Sequence, residues 1–207
     1  MVQNNPIESP RRRGRPRSFD EAEVLEKARG VFWNLGYAAA SLDDIAAATG
    51  LNRPSLYAAF GDKHALYMRA LANTRAGARA AMQAMLGREG PLREGLGALF
   101  DAAIDAYVAG EVGQRGCFII GTAVTQAVND PEVRALAAAF VADEDEVFRE
   151  RFARAANELA PGVTAEAAAA IATATLHTLA IRARTGEDRS GLERVGRAAV
   201  DVICGVA

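Results

Sequence analysis

Few side chains in this 207-residue sequence have the types and spacing that enzymatic chemistry requires. The two histidines, His64 and His177, lie far apart, and no metal-ligand spacing, phosphate-binding loop or nucleophile elbow is present. The acidic run Asp143–Glu146 has no glycine and lies within a predicted helix, which favours a solvated helix face over a metal site. We interpret His177 as a hydrogen-bonded core residue, with a place in a binding pocket as the alternative. The sequence therefore predicts a protein that is not an enzyme and needs no metal or cofactor.

Cys117 is the side chain with the clearest reactive potential. It follows Gly116 at the start of a predicted helix, where backbone amides can lower the pKa of a thiol, and Arg115 is adjacent. The alternative is a small buried apolar residue. The second cysteine, Cys204, is expected to pack in an interface. Two cysteines so far apart do not suggest a disulfide framework, so we expect a reducing, cytoplasmic location.

The segment Ser41–Lys63 predicts two short helices joined by a glycine turn. Ala46 is small enough to let the second helix cross closely, and Gly50 tolerates the positive φ of the turn. Leu56 would fill the angle between the helices. This spacing is typical of a helix-turn-helix, whose second helix, here Arg53–Ala59, enters the major groove of DNA.

Capping residues agree with that interpretation. Ser41 with Asp44 forms a short capping box, and Asn52 can cap the second helix, with Pro54 in its first turn. Asp62 can cap a third helix. Because caps, turn and apolar plug all agree, a helix-turn-helix is favoured over an ordinary helical hairpin.

Over about residues 18–68 the sequence resembles the N-terminal domain of the TetR family of bacterial transcriptional regulators. The residues that carry the resemblance are Phe32, Gly36, Leu42, Ile45, Ala46, Gly50, Ser55, Leu56, Tyr57, Phe60, Lys63 and Leu66. The family often has a histidine or an aromatic residue just before the phenylalanine, where this chain has Ala58 and Ala59, so its DNA readout rests on fewer side chains. The resemblance implies an all-α fold: a three-helix, helix-turn-helix DNA-binding domain and a larger helical domain for ligand binding and dimerisation.

Five side chains of this segment are candidates for contact with double-stranded DNA. Arg53 and Ser55 lie in the first turn of the recognition helix, nearest the bases. The resemblance implies that Tyr57 and Lys63 contact phosphates. Ser41 can add a phosphate contact at a helix N-terminus. Ser41 is also a cap in any case, and Tyr57 could belong partly to the core.

The charge of the chain is distributed unevenly. The formal net charge is −2, but residues 1–70 carry ten Lys/Arg against eight Asp/Glu, and five of these positive charges fall within residues 11–17. Residues 1–17 are polar and rich in Pro, Gly and Arg, so we predict a disordered basic arm, with Arg13 and Arg15 in the minor groove. A solubilising tail is the alternative. A basic end on an acidic body suits a protein that touches DNA at one end.

The remaining sequence predicts helices only, about nine in all, in a DNA-binding domain of residues 18–62 and a second domain of residues 63–207. Helix 1 would begin at a capping box of Ser18 and Glu21, helix 7 would run from Pro131 to about Glu158, and helix 9 would follow a cap at Ser190. No run of 18 apolar residues occurs, so we expect no membrane-spanning helix.

Two sets of residues are candidates for contacts in the second domain. A small-molecule pocket among helices 4–8 would be lined by Phe100, Tyr107, Cys117, Phe118, Gln126, Phe148 and His177. A homodimer interface on the last two helices would include Leu176, Leu192, Val195 and Ala199. The alternative for both sets is packing within the chain's own core.

Together these features predict a ligand-responsive transcriptional regulator. We expect a repressor that binds a palindromic operator as a homodimer and is released when a small-molecule effector moves helix 4. The alternatives are an architectural DNA-binding protein without a ligand, a regulator that senses oxidants or electrophiles through Cys117, and a helical enzyme or carrier with an incidental helix-turn-helix.

Overall fold

The computed structural model describes residues 19–109 and 115–206, and these residues form nine α-helices, one short 3₁₀ turn and no strands. The helices are α1 Glu21–Ala39, α2 Leu42–Thr49, α3 Arg53–Phe60, α4 Lys63–Leu86, α5 Leu92–Val108, α6 Phe118–Gln126, α7 Pro131–Arg154, α8 Ala165–Arg184 and α9 Arg189–Cys204. The predicted all-α fold with an N-terminal helix-turn-helix is confirmed. The basic arm, with Arg13 and Arg15, lies outside the described residues, and its minor-groove role stays a prediction.

Helices α2, α3 and α4 begin where their caps predict. Ser41 and Asp44 form the capping box of α2, with the Ser41 N–H donating to Asp44 Oδ2 at 2.9 Å. Asn52 Oδ1 accepts from the Ser55 N–H at 2.9 Å and so caps α3. Asp62 caps α4 in the same way, accepting from the N–H of Ala65 at 2.8 Å. Each cap satisfies a backbone donor that has no partner inside its own helix.

Three other helix boundaries differ from the prediction. The cap of α1 is Asp20, not Ser18, and the cap of α9 is Asp188, not Ser190. Each aspartate accepts a backbone N–H of the first turn, and its helix begins at the next residue. Ser18 itself lies outside the described residues. Helix α7 ends at Arg154, and a 3₁₀ turn occupies Ala156–Glu158, where the prediction continued the α-helix.

The apolar interior consists of two clusters that share helix α4. The first joins α1–α4 with α6 and the beginning of α7, and the second joins the end of α4 with α5, α7, α8 and α9. Tyr67 is fully buried in the first cluster, and its hydroxyl donates to Thr122 on α6 at 2.8 Å. Packing is therefore continuous across residue 63, where the sequence predicts a domain boundary, and α6 seats the helix-turn-helix on the second domain.

The acidic run on α7 is an inter-helix contact, so its prediction as a solvated face is wrong. Asp143 accepts a hydrogen bond from Arg75 Nε at 2.6 Å, and Glu146 accepts one from Arg79 at 2.6 Å. Arg79 also pairs with Asp143. Arg75 holds the pKa of Asp143 below its ordinary value, with Arg79 acting in the same direction. These ion pairs fasten α7 to α4.

Among the residues that the structure describes, no helix is long and apolar enough to cross a membrane.

Candidate DNA-binding and effector sites

The recognition helix α3 is held by a close crossing with α2. Gly50 ends α2 in the left-handed conformation, with φ at 72°, so the chain turns within two residues. Ile45 and Leu56 are fully buried at the crossing, as the spacing predicts. Tyr57 is 52% exposed on the outer face. The buried side of α3 therefore fixes its orientation and leaves its outer face free to meet a ligand.

Arg53 on that outer face pairs with Asp43 of α2. Its Nε donates to Asp43 Oδ1 at 2.5 Å, and a second guanidinium nitrogen donates to the other carboxylate oxygen. Both side chains are exposed, so water screens the pair and the guanidinium can exchange this carboxylate for another acceptor. The hydroxyl of Ser41 is occupied by the capping box, at 2.6 Å from Asp44 Oδ2. Ser55 is partly buried and supplies the capped N–H.

Lys63 has a structural role that the sequence did not indicate. Its ammonium donates to the carbonyl oxygen of Ala40 at 2.7 Å and lies 4.5 Å from the centre of the Tyr37 ring. These contacts tie the beginning of α4 to the end of α1. An ammonium has three N–H donors, so donors remain for a phosphate after the carbonyl is satisfied.

A cavity of about 410 Å³ lies between α1, α4, α5, α7 and α8, and the segment before α6 closes one side. Small residues on exposed surfaces of α4 and α5 form its opening: Gly77, Ala81, Ala102 and Ala106. Buried apolar residues line its interior: Met82, Leu99, Phe118, Phe140 and Leu176. Concave, mostly apolar sites of this size bind small organic molecules.

The buried acid in this cavity is Glu144, which is 4% exposed. One of its oxygens, Oε2, forms a 2.7 Å hydrogen bond with Nε2 of His177. Burial raises the pKa of Glu144, and the hydrogen bond with His177 opposes part of that rise. Tyr107 also lines the cavity, and burial raises the pKa of its hydroxyl well above the ordinary value.

Cys117 lines the cavity at the N-cap position of α6. Burial raises the pKa of its thiol to about 11, and the backbone N–H groups of Ile119 and Ile120 lower it by less. The helix start therefore acts as the sequence predicts, but desolvation is the larger effect. Near neutral pH the thiol is protonated, and the protonated form is a poor nucleophile.

Helix α1 forms one wall of the cavity through Glu26, Arg29 and Trp33. The Trp33 Nε1–H donates to the carbonyl oxygen of Arg115 at 3.1 Å, and Arg184 of α8 donates to the same oxygen at 3.1 Å. The Arg29 guanidinium lies 4.8 Å from the centre of the Trp33 ring. Trp33 therefore lines the cavity and also packs on Phe118 of α6, with ring centres 5.8 Å apart.

The seven predicted pocket residues separate into two groups. Tyr107, Cys117 and Phe118 line the cavity. Phe100 and Phe148 lie in the core of the second domain, away from the cavity, and Gln126 ends α6, where its carbonyl accepts the N–H groups of residues 129 and 130. His177 stands behind Glu144 and stacks on Phe140, with ring centres 6.3 Å apart. Glu144 was missed because it stands in an acidic run, although Phe140, Val147 and Phe148 lie at helical spacing from it.

The four predicted interface residues face the interior of the chain. Leu176, Leu192 and Ala199 are buried in the second core, and Val195 packs against it. The exposed surface of α8 and α9 includes several small and apolar residues, beside the exposed arginines of α9: Ala167, Ala170, Ala174, Ile181, Ala198 and Val202. A dimer built from these two helices would therefore use this other face, because an amphipathic helix turns its larger apolar residues to its own core.

Comparison with known proteins places this geometry in a family. Residues 24–70 match the model of the bacterial regulatory proteins of the tetR family. The chain is 34% identical over 120 residues to the uncharacterized HTH-type transcriptional regulator YezE of Bacillus subtilis (strain 168). It is 37% identical over 113 residues to the HTH-type transcriptional repressor ComR of Escherichia coli (strain K12). The matches cover 58% and 55% of this chain, and 61% and 54% of those relatives, less than two thirds of their length.

A solved structure extends the similarity to nearly the whole chain. A cysteine-substituted TetR family transcriptional regulator CifR, in complex with 26-bp double-strand operator DNA, is 31% identical with a TM-score of 0.81. That match covers 92% of this chain and 100% of CifR. The reduced form of E. coli NemR, at 14% identity and a TM-score of 0.78, shares the fold. With the helix-turn-helix geometry of α2 and α3, these matches show that the chain belongs to the TetR family of bacterial transcriptional regulators.

Proposed function

We propose that the chain is a homodimeric repressor that leaves its operator when a small molecule occupies the cavity. One observation carries this proposal: helix α1 is at once a wall of the cavity and a part of the helix-turn-helix core. Trp33 meets the cavity, while Phe32, the next residue, is fully buried against the DNA-binding helices. A ligand that contacts Trp33 therefore pushes on the element that supports α2 and α3.

The link between cavity and DNA-binding helices passes through the segment before α6. Gly116 lies against α8, where an added Cβ would be 2.3 Å from the carbonyl oxygen of Ala180. The carbonyl of Arg115 joins Trp33 of α1 to Arg184 of α8. A ligand that binds one arrangement of these three elements better than another shifts the separation of the two recognition helices, and only such differential binding couples ligand to DNA.

Dimerisation follows from the need to read a palindrome. A single recognition helix contacts only a few base pairs, whereas two helices related by a two-fold axis read both half-sites. The exposed alanines of α8 and α9 support a four-helix contact with a second copy, since small side chains allow close approach of helices. On DNA, Tyr57 and Lys63 would contact phosphates, and Arg53 would leave Asp43 for a base edge.

The experiment is to fill the cavity without touching the DNA-binding face. The operator would first be identified by sequencing genomic fragments that the protein binds, and candidate effectors by their release of that DNA. Ala81→Trp, at the cavity opening, should keep operator affinity and lose effector release. Ala84→Trp, exposed on the same helix and outside the cavity, is the matched control and should behave as wild type. Normal release by Ala81→Trp would contradict the proposal.

A thiol switch at Cys117 is the second candidate, favoured by the position of this cysteine in the cavity wall. The thiol switch ranks second because burial raises the pKa of the thiol, and a protonated thiol reacts slowly with electrophiles.

A further inference from the structure

We infer that the cavity recognises an amphiphilic monocation, a protonated or quaternary amine on an apolar body, with the amine against Glu144. This inference names the ligand class of the cavity and rests on the proposed function only in calling that ligand the effector. Volume, charge and aromatic surroundings each support it.

The cavity is small and mostly apolar. Its volume of about 410 Å³ is at the lower end of the ~300–1,000 Å³ of small-molecule sites. Met82, Leu99 and Leu176 present only hydrocarbon and thioether surface, so transfer of an apolar ligand body from water into the cavity is favourable. A large ligand would not fit this volume, and a highly polar ligand would find no hydrogen-bond partners on these apolar walls.

The described residues that line the cavity carry one more negative than positive charge, and the excess charge is that of Glu144. The other charged groups of the lining are Glu26 and Arg29, which pair with each other on the α1 wall. Asp143 and Glu146, the neighbours of Glu144 on α7, are paired with arginines of α4. Within residues 19–109 and 115–206, Glu144 pairs with no arginine, and its partner is a histidine, which carries a full charge only when protonated.

A cation would resolve this imbalance, and an anion would worsen it. A buried carboxylate is costly unless it is paired, so a ligand ammonium placed against Glu144 replaces lost hydration with a direct charge contact. An anionic ligand would instead bring two like charges together in a desolvated site.

Two aromatic rings lie close to Glu144, and a third lines the same cavity. Phe140 stacks on His177, the partner of Glu144, and the charge of Glu144 influences the hydroxyl of Tyr107. Phe118 also lines this space. Ring faces attract ammonium groups, most strongly where water is excluded. A carboxylate with adjoining aromatic rings is the chemistry that selects an amine over a neutral molecule of the same shape.

The test uses three probes of similar size and different charge: benzyltrimethylammonium, dimethylbenzylcarbinol and phenylmethanesulfonate. Trp33 is the only tryptophan of the chain and lines the cavity, so its fluorescence reports occupancy without a label. The cation should bind at least about tenfold more tightly than the alcohol, which is one decade in Kd, and the sulfonate should not saturate the signal. The three probes test the charge preference on the wild-type protein, with no variant needed.

A variant then locates the preference. Glu144→Gln keeps a side chain of the same shape beside His177 and should bring the cation and the alcohol to similar Kd values. Glu26→Gln, which removes the other carboxylate of the lining, is the control and should keep the preference. Equal wild-type affinity for cation and alcohol, tighter binding of the sulfonate, or an undiminished preference in Glu144→Gln would overturn the inference.

Operator release is measured separately, so that the two proposals fail separately. Tight binding of the cation at Trp33 with unchanged operator affinity would support this ligand class and contradict the proposed regulation. Release by neutral or anionic compounds alone, with no preference for the cation at Trp33, would contradict the ligand class and leave the regulation standing.

Discussion

Replacement of Lys63 by methionine should affect stability and DNA binding in ways that can be measured apart. The substitution keeps an unbranched apolar stem and removes the ammonium, which donates to Ala40 at 2.7 Å and lies 4.5 Å from the Tyr37 ring. A hydrogen bond from a charged donor contributes about 1.5–3 kcal/mol. The cation–π contact adds about 0.5–1 kcal/mol at a partly exposed site. Since Lys63 is only partly buried, we expect Lys63→Met to lower the free energy of unfolding by about 2 kcal/mol.

The assay combines denaturation with DNA binding at several salt concentrations. For a chain of this size the expected loss corresponds to a melting temperature about 4–8 °C lower, measured at fixed protein concentration because a dimer melts in a concentration-dependent way. Loss of one phosphate contact from each protomer of the dimer should reduce the slope of log K against log salt by about 1.8, or about 0.9 per contact. Lys27→Met, which removes only an exposed pair with Glu23, is the stability control and should cost about 0.5 kcal/mol or less.

Each result addresses a different assignment of Lys63. A lower melting temperature with an unchanged salt slope would refute the phosphate contact and show that Lys63 acts only in stabilising the fold. An unchanged melting temperature would refute the reasoning that ties Lys63 to the end of α1.

Three further predictions concern the second domain. Ala174→Glu, on the exposed face of α8, should convert the dimer into a folded monomer in sedimentation, whereas Leu192→Asp should unfold the chain because Leu192 is fully buried; a dimer that survives Ala174→Glu would place the interface elsewhere. Cys117→Ser should keep operator binding and reversible release. Because burial raises the pKa of the Cys117 thiol to about 11, the alkylation rate of the wild-type protein should still increase above about pH 9, the pKa range of an ordinary thiol. An alkylation rate that reaches its plateau in that ordinary range would contradict this. Because burial raises the pKa of Glu144, this group stabilises the fold most below its ordinary pKa and loses that contribution as the pH rises through the raised value. In Glu144→Gln the free energy of unfolding, measured in urea at acidic and at neutral pH, should lack this loss. The same pH dependence in the variant and the wild type would contradict the prediction.

The helix-turn-helix could be predicted in detail because its determinants are local. The N–H groups that Ser41, Asn52 and Asp62 cap lie three residues away, and Gly50 acts on its own φ. Where two caps compete within a few residues, as Asp188 and Ser190 do, the pattern alone does not decide which one begins the helix.

The candidate cavity could be predicted only in part, because the side of a helix that meets the cavity depends on its neighbours. Phe100 and Tyr107 lie on the same helix, yet Tyr107 lines the cavity and Phe100 packs against Gly196 of α9. Both are aromatic residues, two helical turns apart on one side of α5, so the sequence does not distinguish them.

By itself the sequence determined the helical fold, the two helices of the helix-turn-helix and their caps, since these depend on contacts within a few residues. Only the tertiary structure decided that α1 forms a wall of the cavity and that Glu144 is buried beside His177. It also turned Leu192 inward and left Ala174 outside. These outcomes depend on which helix faces pack together, and residues far apart in the chain make that choice jointly by burying the most apolar surface.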